Sequence, residues 1–163
     1  AGNRDFVLGS KFLARFGGQL LPEIDQLIIA GTRFRLEHGD ALCTDDVSYQ
    51  RFKKIIRHPW LLGFLRKTPL SFRTRLANRF RQQSHQAQQF KSYEVMDVNP
   101  HAVELVLQDV DVLIHGHTHR AAIHQLGQKR RIVLGDWKED SAEILEIQED
   151  QNFDTLKLKK WRY

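Results

Sequence analysis

The stretch Val110-Asp111-Val112-Leu113-Ile114-His115-Gly116-His117-Thr118-His119-Arg120 decides the fold. Residues 110–114 are mostly apolar and β-branched and end abruptly in polar residues, the pattern of a buried strand. The three histidines then fall on the loop leaving the strand's carboxyl end, where α/β folds place their chemistry. His117 and His119 are two apart, so in an extended loop both imidazoles point the same way. Imidazole is the commonest side-chain ligand of transition metals. The plainer reading is a polar turn with hydrogen-bonded histidines. Gly116 weighs against it, because glycine lets the backbone turn tightly enough for its neighbours to converge.

Working outward, 163 residues suit one domain with a real core. Hydrophobic residues at 41% and charged residues at 28% give an ordinary globular balance. No stretch is apolar for long enough to cross a bilayer. The opening Ala1-Gly2-Asn3-Arg4-Asp5 has no apolar core of the kind a signal peptide carries, so an intracellular chain is expected. The single Cys43 excludes an internal disulfide and fits a reducing compartment. It reads better as a small buried hydrophobe than as a ligand or nucleophile. The net charge of +5 is uneven. From Val47 to Tyr93 there are eleven Lys or Arg and no Asp or Glu, so the rest of the chain is net acidic. A merely solvated basic face would include acids for pairing, and their complete absence points to a polyanionic partner.

Along the chain, Ser10–Phe16 suggests a helix, with Asn3 as a capping residue or an amide-oxygen ligand and Gly17-Gly18 as its end. Leu27-Ile28-Ile29 and Arg33-Phe34-Arg35-Leu36 flank Ala30-Gly31-Thr32, a hairpin signal. The second strand runs into Glu37-His38-Gly39-Asp40, so a second ligand-like histidine stands at a strand end. Asp40 is expected to orient that histidine rather than bind metal itself. Thr44-Asp45-Asp46 starts a helix, with acids near the positive dipole end. Short, proline-broken helices follow. They carry Phe52, Trp60, Leu61, Phe64, Phe72 and Phe80, with arginines on their other faces. Such helices form a lid over a greasy ligand or lie on a membrane. Asn99-Pro100 opens another helix, with Val103, Val106 and Leu107 turned inward. Residues 132–137 read as a strand ending in Gly135-Asp136, and residues 142–147 and 153–158 as a terminal antiparallel hairpin.

The order Gly2-Asn3-Arg4-Asp5, His38-Gly39-Asp40 and Gly116-His117-Thr118-His119 resembles the calcineurin-like metallophosphoesterases. Within them it is similar to the UDP-2,3-diacylglucosamine pyrophosphohydrolases of lipid A biosynthesis. The stretches carrying the closer likeness include His38–Asp46 and Met96-Asp97-Val98-Asn99, and they run from end to end of the chain. The resemblance implies an α/β fold, an α/β/β/α sandwich over residues 1–163 with a helical lid insertion at about 47–93 and a two-metal site at strand ends. Asn3, His38 and His117 then look like ligands of one Mn²⁺, and His119 like a ligand of a second. Asn3, Arg4, Asp46, Ser84, Gln88, Lys91 and His117 correspond to substrate-contacting positions, and the family often has a shorter polar residue at Gln88.

The family also carries a strand with an Asp-x-His motif and a Gly-Asp motif ahead of the position of Gly2. Gly39-Asp40 and Gly135-Asp136 fall elsewhere in the family pattern. The sequence is therefore expected to be the carboxyl-terminal two-thirds of such an enzyme, with little activity alone and apolar sheet edges that favour aggregation. The implied reaction gives UMP and 2,3-diacylglucosamine 1-phosphate by a dimetal-activated hydroxide. His117 is the candidate catalytic residue, facing the phosphate. The implied setting is the cytoplasmic face of a Gram-negative inner membrane, with an anionic lipid surface and a lipid-linked nucleotide sugar as partners. A nucleic-acid-binding module is the rival class, with a nuclease or phosphodiesterase of the same superfamily third. The basic segment lacks the aromatic–basic interleaving of a single-strand platform, and its apolar residues exceed what tracking phosphates needs.

Overall fold

The computed structural model describes residues 2, 10–89, 93–147 and 156–162. Its contacts divide the chain into two units, Cys43–Asp97 and the flanking segments Ala1–Leu42 with Val98–Tyr163.

The flanking unit is built on a five-stranded sheet. Strand β1 (Ile24–Ile29) and strand β2 (Thr32–Glu37) form the expected hairpin, with Ile29 opposite Thr32. Ala30 and Gly31 both take positive φ, 46° and 80°. This is the backbone of the two-residue turn whose twist matches that of paired strands. Strand β3 (Val112–His115) lies parallel to β2, and strand β5 (Lys129–Val133) parallel to β3 on its other side. Strand β4 (Ala122–Leu126), which residue pattern alone did not suggest, pairs antiparallel with β5 across Gly127-Gln128. The sheet order is β1-β2-β3-β5-β4.

Alternation along the strands sends side chains to two faces. On one face Phe34, Val112, Ile114 and Ile132 make a buried cluster. Each such side chain, fully buried, stabilises the fold by roughly 1.5–3 kcal/mol. Covering this face is the hairpin of β6 (Ser141–Glu146) and β7 (Lys157–Arg162), through Leu145 and Leu158. The hairpin is antiparallel as expected, but its second strand begins at 157 rather than 153. The alternation Leu156-Lys157-Leu158-Lys159 extends the usable pattern toward the terminus, and residues 153–155 lie outside the described residues. Helix α6 (Pro100–Asp109) packs against β3 and β5. The Asn99 side chain caps it by accepting from the backbone N–H groups of His101 and Ala102, at 2.9 and 3.2 Å, and Val103, Val106 and Leu107 are buried as expected. Among the described residues this unit is therefore mixed α/β in three layers: helix, sheet, sheet. Upstream lies the short helix α1 (Ser10–Ala14), whose last carbonyls accept from Gly17 and Gly18.

The Cys43–Asp97 unit is helical: α2 (Val47–Ile56), α3 (Pro59–Lys67), α4 (Leu70–Gln89) and α5 (Tyr93–Met96). Pro59 occupies the first turn of α3, where its missing N–H removes no hydrogen bond, so it starts a helix rather than merely breaking one. The glutamine-rich run 82–89 continues α4 to twenty residues, because glutamine is a good helix former. Phe52 and Phe80 meet edge to face, their centroids 5.4 Å apart. Cys43 is buried, with its thiol directed at the carbonyl of Met96, as a small hydrophobe should be. No helix among the described residues is long and apolar enough to cross a membrane.

Candidate functional site

Parallel strands place their carboxyl ends at one edge of a sheet. β2 ends at Glu37 opposite His115, so His38 and the loop after β3 leave the sheet side by side. The rings of His38 and His117, 79 residues apart in sequence, meet with centroids 5.1 Å apart and planes inclined at 63°. The two loops are tied together, as Gly116 donates its N–H to the carbonyl of His38 at 3.1 Å. β5 brings Gly135-Asp136 to the same edge, extended by a bond from Leu134 N–H to His115 O at 2.7 Å. There the Glu143 carboxylate occupies the space a side chain at Gly135 would need.

The backbone of the histidine loop differs from the expectation for Gly116. The left-handed residues are His117 (φ 65°) and His119 (φ 57°), not the glycine. Thr118 N–H closes a tight turn onto Gly116 O at 2.8 Å, with His117 at its centre. A non-glycine residue held in this region stores of order 1–3 kcal/mol of strain and marks a place where the surroundings impose a conformation. His115 belongs to the strand itself and is 1% exposed, so the strand reaches one residue further than the apolar run suggested.

Burial, and next the nearby His38, hold His117 well below the ordinary imidazole range, at about 4. His117 is therefore neutral near pH 7, the protonation state a metal requires of imidazole. His38 Nδ1 lies 3.2 Å from the buried Asp40 carboxylate. The contact is off the N–H line, so among the described residues His38 Nδ1 makes no hydrogen bond. The Asp40 carboxylate thus stands beside the His38 ring without a hydrogen bond to it. Imidazole is a ligand type that suits borderline divalent cations. Among the described residues no set of three or more His, Cys, Asp or Glu is arranged to hold one.

His119 is exposed, and its charge is a minor influence lowering His117. Asp46 caps α2, accepting from Tyr49 N–H at 3.0 Å and from the Ser48 hydroxyl at 2.8 Å. Ser84 and Gln88 fall on α4, four residues apart. Asn3, Arg4 and Lys91 lie outside the described residues. His115 and Gly39 were not singled out from sequence. A histidine ending an apolar run is as readily read as loop, and a glycine after a histidine as a simple turn.

No family model matches the chain. The chain is 42% identical over 158 residues to the UDP-2,3-diacylglucosamine hydrolase of Haemophilus influenzae strain PittGG, covering 96% of this chain and 67% of that protein. The chain belongs to the UDP-2,3-diacylglucosamine hydrolase family. Similar relatives are the hydrolase of Shewanella piezotolerans, 45% identical over 90% of this chain and 66% of its own length, and that of Neisseria meningitidis serogroup C, 44% identical over 91% and 63%. The chain thus spans about two thirds of the length of the family members it matches. Among solved structures, the Zn²⁺ complex of Vps29 from Entamoeba histolytica overlaps 88% of the chain and 62% of its own at 16% identity and TM-score 0.40. Vacuolar Protein Sorting 29 from Cryptosporidium parvum overlaps 90% and 60% at 11% identity and TM-score 0.37. At such scores neither carries an argument.

Proposed function

We propose that this chain supplies the His38–His117 half of a site that hydrolyses the pyrophosphate of UDP-2,3-diacylglucosamine, giving UMP and 2,3-diacylglucosamine 1-phosphate. The observation that carries the reading is 42% identity to a UDP-2,3-diacylglucosamine hydrolase across 96% of the chain. The convergence of His38 and His117 supports it.

In this reading Asn3, His38 and His117 hold one Mn²⁺, and His119 contributes to a second. Bound there, the metals would supply a nucleophile at neutral pH and neutralise charge on the phosphoryl oxygens. The chain's own residues do the rest. Asp40 fixes the His38 ring. His117, neutral and turned inward, also faces the phosphate. Arg4 pairs phosphate oxygens with two parallel N–H bonds, and Lys91 does so as a point charge. Asp46, Ser84 and Gln88 contact the nucleotide sugar. The acyl chains lie among Phe52, Trp60, Leu61, Phe64, Phe72 and Phe80, each buried CH₂ contributing about 0.8 kcal/mol. The Cys43–Asp97 unit acts as the lid. Its acid-free run and exposed Trp60 and Phe64, at 85% and 63%, suit peripheral attachment to the anionic cytoplasmic face of an inner membrane.

The test is a chimera in which this chain replaces the matched 158 residues of the Haemophilus influenzae relative, assayed for Mn²⁺-dependent UMP release. Activity is expected, with a loss of about 100-fold or more in His38→Ala and in His117→Ala. A folded chimera whose release is indifferent to both substitutions overturns the proposal.

A further inference from the structure

Among the described residues, His115 is the buried histidine that the proposed chemistry does not use. It sits at the last position of β3, 1% exposed, level with Glu37 of β2 on one side and Val133 of β5 on the other. A valine or isoleucine would fill the same place without the cost of burying a polar ring.

Two contacts explain the choice. The ring lies against Gly39, where an added Cβ would come within 2.8 Å of Nδ1 and 3.2 Å of Cγ. Gly39 has φ +101° and stands between His38 and Asp40. The same nitrogen, His115 Nδ1, is 3.0 Å from Gly116 O. A carbonyl can only accept, so Nδ1 carries the hydrogen. The same carbonyl closes the turn around His117. One imidazole thus touches both loops: it is packed beneath the turn after His38 and bonded to the turn that holds His117.

We propose that His115 is a positioning residue for the His38–His117 pair, which rests on reading that pair as metal-binding. The hydrogen bond from Nδ1 fixes the Gly116 carbonyl, and with it the left-handed backbone at His117. The Nδ1–Cγ edge of the ring, packed against Gly39, fixes that glycine and with it the path from His38 to Asp40. His115 binds neither metal nor substrate. Its effect is to present two imidazoles at a set separation before any cation arrives, so that binding orders little further chain.

Two measurements on the chain itself test this. Long-range ¹H–¹⁵N NMR of the metal-free protein reports the His115 tautomer; Nδ1–H is expected, and Nε2–H would remove the donor and overturn the assignment. Titration calorimetry with Mn²⁺ alone compares wild type, His115→Asn and His115→Leu. Asparagine places an amide N–H close to the Nδ1 position and should keep affinity within about threefold, whereas leucine fills space without donating and should lose about tenfold or more. Leucine and wild type binding alike, or asparagine failing as badly as leucine, sinks the proposal. A wild type that binds no Mn²⁺ strikes instead at the metal reading of His38 and His117, and the tautomer still decides the role of His115.

Discussion

Asp111 shows how much one polar residue at the start of a buried strand can organise. Its carboxylate accepts from Arg33 three times: from the backbone N–H at 3.0 Å, from Nε at 3.1 Å and from Nη2 at 2.9 Å. Its own N–H donates to Arg33 O, and its carbonyl accepts from Arg130 N–H, so three parallel strands are set in register at their amino ends. The Arg33 side-chain bond, followed by the bond from the Arg33 backbone, holds the carboxyl at about 2 against an ordinary 3.8. The sign follows from linkage. Between pH 4 and 2 the unfolded chain takes up this proton while the folded one does not, so the contribution is complete above pH 4 and lost as pH falls through 2. Urea midpoints across that window should fall in wild type and fall less steeply in Asp111→Asn; parallel slopes would contradict it. The pair is largely exposed, so the difference is modest. None of this was legible in the sequence, where Asp111 merely interrupts an apolar run. His38 and His117 were legible, because glycine beside histidine at a strand end is an uncommon combination. The left-handed backbone at His117 was not, since composition assigns such conformations to the neighbouring glycine.

Short elements here are fixed by their ends. Helix α6 was readable to within a residue because Asn99-Pro100 states its start and the apolar spacing states its buried face. Asn99→Ala leaves two N–H groups uncapped and should destabilise the protein by about 1 kcal/mol in chemical denaturation. The β1–β2 turn was legible as a hairpin, yet Ala30 is a poor occupant of its left-handed position. Ala30→Asn creates Asn-Gly and should stabilise by about 0.5–1 kcal/mol; a loss of stability would mean the turn is of another type. Strand β4 escaped notice because Ala122-Ile123-His124-Gln125-Leu126 does not alternate apolar with polar residues, and as an edge strand it is mostly exposed. Helix α4 was read too short for the opposite reason: a run of glutamines has high helix propensity but no apolar stripe.

Charge in this chain is segregated by position rather than averaged. Eleven Lys or Arg without a single Asp or Glu between Val47 and Tyr93 make that segment the obvious place for an anionic surface to act. Vesicles containing phosphatidylglycerol should bind the protein, and the bound fraction in co-sedimentation should fall steeply as salt rises from 50 to 500 mM, a range over which the Debye length drops several-fold. Trp60→Ala should weaken binding at every salt concentration without changing the salt slope. Binding that ignores both salt and Trp60 would remove the membrane from the picture. The helical character of this segment was readable from its amphipathic spacing. Its composition and the resemblance mark off an insertion at about 47–93, and the contacts separate Cys43–Asp97 as a unit.

The hydrogen bond from Asn99 N–H to Leu42 O, at 2.9 Å, closes the sheet-bearing unit on itself at the very point where the helical segment departs and returns. The two chain ends that receive that segment are therefore neighbours before it is counted. Loop closure depends only weakly on length, so such a doorway tolerates segments of widely different size with little energetic consequence. A lineage can lengthen, shorten or replace what is inserted there while the paired imidazoles of the sheet-bearing unit keep their places.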